Sequence, residues 1–85
     1  MKFSSLDQLF NSILRGNEIQ FEFGGKEYFI LPHYLNEKIV GAIIGEAYTD
    51  KDRVCLSVEE FQSAVINGFW FGDVFDKINI TWRNF

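Results

Sequence analysis

The chain has 85 residues and a formal net charge of −4, so it affords one domain with one modest core. Its eight basic residues lie singly, which excludes a phosphate-binding stripe or a basic amphipathic helix and sets nucleic acid and membrane surfaces aside as partners. One cysteine cannot close an internal disulfide, and no signal peptide or long apolar span is present, so a reducing cytoplasm is the expected location.

The first element is a helix. Leu6, Leu9, Phe10, Ile13 and Leu14 follow the full amphipathic spacing, Ser5 and Gln8 form a capping box, and Gly16 supplies the stop. A hairpin follows. Ile19, Phe21 and Phe23 alternate with Glu18, Gln20 and Glu22, Gly24-Gly25 makes the turn, and Lys26 to Leu31 returns. This register sets Phe21 opposite Tyr28 and Ile19 opposite Ile30 on one face. Glu22 then opposes Glu27 on the other, a mildly destabilising like-charge pair.

Residues 32–38 read as a loop. Ile39 to Tyr48 reads as a third strand, and Val54-Cys55-Leu56 as a short strand or a lead-in. Ser57-Val58-Glu59-Glu60 is a second capping box, opening a helix expected to reach Ile66 and to stop at Asn67-Gly68. Asp73 can cap a short turn over 74–77, and Ile78, Ile80 and Trp82 alternate with polar residues in a last strand. The whole of 1–85 therefore reads as one α+β domain in the order α-β-β-β-α-short α-β. A small antiparallel sheet of three to four strands would carry two main helices on one face.

The stretch Phe3-Ser4-Ser5-Leu6, with Gly16-Asn17-Glu18-Ile19-Gln20-Phe21-Glu22-Phe23-Gly24-Gly25-Lys26-Glu27-Tyr28, resembles small uncharacterised proteins of Gram-positive bacteria and their phages. The resemblance implies a helix, a strand pair around a glycine turn and a second capped helix. It supplies no catalytic residue. By analogy of size and acidity it points to phage inhibitors of bacterial defence, including anti-CRISPR proteins.

No motif for chemistry is found. His33 has no neighbouring ligand for a metal and reads as a surface or packing residue. Cys55 reads as an inert buried thiol, although it lies just before a helix start. Asp50-Lys51-Asp52 lacks the glycine and closing glutamate of a calcium loop, and Gly24-Gly25 joins two strands where a phosphate loop would enter a helix. No cofactor and no turnover are expected.

The aromatic supply is the strongest signal: ten Phe, three Tyr and two Trp in 85 residues. Phe69, Trp70 and Phe71 run in sequence between Gly68 and Gly72. Three neighbours cannot share one face, so at least one ring points away from the surface that the others pack on. If the segment is extended, Trp70 is the exported ring. The expected contact surface has Trp70, Phe71 and Phe29 at its centre, with Glu22, Glu27, Glu59 and Glu60 as an acidic rim. That describes an inhibitor or adaptor for a protein with a basic surface. The alternatives are a self-associating homo-oligomer joined at exposed rings or at the edge of the last strand, and, less compatibly with so small a core, a ligand binder or enzyme.

Overall fold

The computed structural model describes residues 3–84. Helix α1 (Leu6–Leu14) starts where Ser5 Oγ accepts the Gln8 N–H at 3.1 Å. The reciprocal half of the cap closes one residue early: Gln8 Oε1 accepts from Ser4 N at 2.7 Å. Leu9, Phe10 and Ile13 form its buried stripe.

Strands β1 (Ile19–Phe23) and β2 (Lys26–Leu35) pair in the predicted register, with Gly24 and Gly25 both at positive φ in the turn. The expected loop over 32–38 is instead strand. β2 runs through Pro32 to Leu35, turns at Asn36 and Glu37, both at positive φ, and returns as β3 (Lys38–Glu46). Proline is tolerated because β1 ends at Ile19, opposite Ile30. Beyond that point β2 pairs with no described residue on that side and needs no donor there.

Strand β4 (Asp52–Cys55) adds to β3, and β7 (Asn79–Arg83) adds to β1. The antiparallel sheet thus has five strands in the order β4-β3-β2-β1-β7, more than the three to four expected.

Helix α2 (Val58–Gln62) is half the expected length. Ser57 Oγ accepts the Glu60 N–H at 3.2 Å, and Glu60 Oε1 accepts from Leu56 N at 2.7 Å, again one residue early. Arg53 Nη1 donates to the Ser63 carbonyl at 3.1 Å, fastening the helix end to β4. The chain then forms a second hairpin, β5 (Val65–Ile66) and β6 (Phe69–Trp70), around Asn67 and Gly68, both at positive φ. Asn-Gly here serves as a two-residue hairpin turn and not as a helix stop. Helix α3 (Phe71–Val74) and a 3-10 turn (Phe75–Lys77) lead into β7. Asp73 lies inside α3 and does not cap it; the capping position is Trp70, with no side-chain hydrogen bond.

The helices cover one face of the sheet. Between them runs a chain of rings: Tyr28 on Phe21 at 5.3 Å, Phe21 on Phe71 at 5.8 Å, Phe71 on Phe61 at 5.0 Å and Phe61 on Phe10 at 5.3 Å. Ile19, Ile30, Ala42, Ile44 and Cys55 complete the core from the sheet. On the other face, among the described residues, no helix is laid. Phe29, Leu31 and Ile43 are half-buried there, and Gln20, Glu22 and Glu27 are exposed.

Candidate protein-binding surface

The aromatic run divides as its geometry requires, with two rings exported. β6 is extended, so Phe69 and Trp70 alternate sides, and the chain enters α3 at Phe71. Phe71 is 0% exposed, whereas Phe69 and Trp70 are 52% and 54% exposed. The expectation that Phe71 is offered to a partner is therefore corrected: it is the central ring of the core. Phe69 takes its place at the surface.

The hairpin holding these rings is fixed from three sides. Phe71 N–H donates to the Ala64 carbonyl at 2.7 Å, extending the pairing of Val65 with Trp70. Phe69 meets Phe23 edge to face, with centroids 6.0 Å apart. The Asn67 side chain lies against Gly24, in space that a Cβ at that turn would occupy. Val65, opposite Trp70, is 63% exposed. Val65 and Trp70 thus form an exposed apolar pair on one side of a short, braced hairpin, and Phe69 is half-exposed on the other side, against Phe23. Val65 falls in the expected helix over 58–66, which hides its exposure; the Asn67-Gly68 turn is the sequence signal that marks it as a strand residue.

Phe29 lies elsewhere, on the uncovered sheet face, between Gln20 on β1 and Gly45 on β3. Glu22 and Glu27 stand opposite each other on that face, as predicted. Glu59 and Glu60 do not join them. They belong to α2, on the helix side, and Glu60 is engaged at its own helix start. The four glutamates therefore make no single rim, and this part of the expectation is also corrected.

The remaining candidates have structural surroundings. Cys55 is fully buried; burial pushes its thiol above the usual range, Arg53 opposes this and Glu60 adds to it, so the thiolate is disfavoured. Tyr28 is buried, and among the described residues its hydroxyl has no partner at hydrogen-bond geometry; burial and then Glu46 raise its pKa, and the Asn67 backbone, near but out of line, acts the other way. His33 is half-buried, opposite Gly41. Among the described residues no three His, Cys, Asp or Glu side chains come together as a metal site, and no helix is long and apolar enough to cross a membrane. A cavity of about 290 Å³ on the helix side is lined by Glu46 and Asp52 but also by Lys51 and Arg53, so its formal charges balance.

Comparison with family models, with curated proteins and with solved structures gives no match.

Proposed function

We propose that this protein is a non-catalytic binding module that occludes a surface of another protein through the β5–β6 hairpin. One observation carries the reading. Trp70 and Val65 are more than half exposed as cross-strand neighbours, and Phe69 is more than half exposed on the other side, on a hairpin that is pinned to the core and to the β1–β2 turn. A fold this small gains from hiding such rings, and aromatic anchors on a rigid support lose little entropy on binding. The resemblance to small phage and Gram-positive proteins directs the same reading toward an inhibitor of a host defence protein.

Affinity capture from bacterial lysate with wild type and Trp70→Ala side by side tests it. A protein retained by wild type, lost with the variant and shown to bind directly when purified supports the proposal, provided that the variant keeps its circular dichroism. Equal retention by both removes Trp70 from the interface. Sedimentation over a dilution series covers self-association: a dimer abolished by Trp70→Ala would assign the patch to a twin subunit instead.

A further inference from the structure

The uncovered face of the sheet carries a feature that the aromatic hairpin does not use. A cavity of about 280 Å³ opens there, lined among others by Gln20, Glu27, Phe29, Leu31, Tyr48 and Thr81. This lies just below the usual size of small-molecule sites, and suits one long side chain better than a metabolite. Its floor is apolar. The Phe29 ring lies over Gly45, where a Cβ would meet Phe29 Cζ at 2.6 Å. At its rim Tyr48 is 96% exposed and held at positive φ, a conformation rare for an aromatic residue. The turn that holds it is tied down: Ala47 N donates to the Glu27 carbonyl at 2.9 Å, and Thr49 Oγ1 to the Glu46 carbonyl at 2.9 Å.

Two carboxylates face each other here. Phe23 and Lys26 close a two-residue hairpin as a hydrogen-bonded pair, so the next pair, Glu22 and Glu27, is the close, non-bonded kind, with Cα atoms about 4.5 Å apart. Lys26, adjacent to Glu27, pairs with Glu46 at 3.8 Å instead. Among the described residues neither Glu22 nor Glu27 forms an ion pair, so the two facing carboxylates have no described cation against them.

Rings beside unpaired carboxylates are complementary to one kind of group: a planar cation on an apolar stem. We propose that this face is a socket for an arginine side chain of a protein partner. The methylene stem lies over Leu31, the guanidinium stacks between Phe29 and Tyr48, and its fork of donors meets Glu27 on the cavity wall, with the Glu22 carboxylate directly across the strand pair adding to the attraction. The proposal rests on the protein-binding reading above and adds to it a second contact of defined chemistry.

The test is an NMR titration of the isotope-labelled protein with the capped tripeptide Gly-Arg-Gly, and with the same peptide carrying citrulline, the neutral isostere, or lysine. The arginine peptide should shift the amides of Glu27, Phe29, Tyr48 and Thr81, and bind about tenfold more tightly than the citrulline peptide. The double variant Glu22→Gln/Glu27→Gln should lose about the same factor while unfolding at a higher temperature than wild type, because the opposed charges are gone. Citrulline binding equal to arginine, full affinity in the double variant, or shifts centred on Glu59 and Glu60 would each overturn the socket. Equal binding of the lysine peptide would overturn its assignment to arginine. Trp70→Ala should leave the titration unchanged, so failure of the socket and failure of the hairpin reading are separately visible.

Discussion

Trp70 and Phe71 are adjacent in sequence and should give opposite results when each is replaced by alanine. Phe71 is fully buried between Phe21 and Phe61. Truncating a buried Phe costs about 3–5 kcal/mol in lost burial and cavity formation. A chain of 85 residues has a total stability of about 4–13 kcal/mol at the usual value per residue. Phe71→Ala therefore removes a large share of it, and unfolds the protein outright if the total lies at the lower end. Trp70 is 54% exposed, so it hides rather less than half its surface. That is about 90 Å², worth at most about 2 kcal/mol at ~25 cal/mol per Å². With a urea slope of about 2 kcal/mol/M, Phe71→Ala should lower the unfolding midpoint by about 2 M and Trp70→Ala by about 1 M or less. Far-UV circular dichroism in a urea series measures both. Equal midpoints for the two variants, or a larger loss for Trp70→Ala, would refute the division of the aromatic run into core and surface.

Removing the unpartnered hydroxyl with Tyr28→Phe should leave the ring stack intact and raise stability by about 1 kcal/mol, seen as a higher thermal midpoint; a fall would show that the hydroxyl has a partner. Gly45→Ala should cost about 1–3 kcal/mol in a urea titration, because a Cβ there meets both Phe29 Cζ at 2.6 Å and Asp52 Cβ at 2.8 Å; a neutral result would mean that the Phe29 ring swings away freely. Stability should also decline in alkali. The Cys55 thiol is raised above its ordinary 9.0 and the Tyr28 hydroxyl above its ordinary 10.0, so the unfolded chain loses these protons first. Their contribution is intact below about pH 9 and is lost as pH rises beyond it, by up to about 1.4 kcal/mol per pH unit per group. Cys55→Ala should remove the earlier part of that decline in denaturant melts at stepped pH, and an unchanged profile would exclude the thiol as its source.

What the sequence showed plainly was local. Both capped helix starts, the register of the first hairpin and the export of a ring from residues 69–71 follow from nearest-neighbour chemistry. The misreadings arose where one signal has two physical meanings. Asn67-Gly68 after an apolar helical stripe fits a helix stop and a hairpin turn equally well. The hairpin is accompanied by contacts outside that stretch, among them Arg53 on the Ser63 carbonyl, ten residues apart in sequence, and Phe23 on Phe69. Pro32 breaks a central strand but not an overhang, and whether β2 overhangs β1 depends on strand lengths that no window around Pro32 contains. The acidic residues failed in a third way. Pattern alone places Glu22 and Glu27 on one strand face and Glu59 and Glu60 on a helix, but only the packing of α2 against the opposite side of the sheet shows that the two pairs cannot share a rim.

The edges of the sheet bear on how a partner can be engaged. An extended peptide, or a twin subunit joined through the last strand, needs an unbroken row of outward-facing backbone groups. β7 does not offer one. A bulge intervenes where Gln20 pairs with Trp82 but Phe21 with Ile80. The alternation that would turn every second residue outward is thus broken midway along a strand of five residues. At the opposite edge β4 has four residues, two of them the charged Asp52 and Arg53. The overhang of β2 has Pro32 where a donor would be needed. Each edge is blunted by a different device, whereas the exposed rings of β6 and the acidic, aromatic sheet face are left uncovered. Affinity should then reside in a few side chains and not in backbone pairing, so that single substitutions at Trp70 or Phe69 weigh more than any change along β7 that preserves the fold.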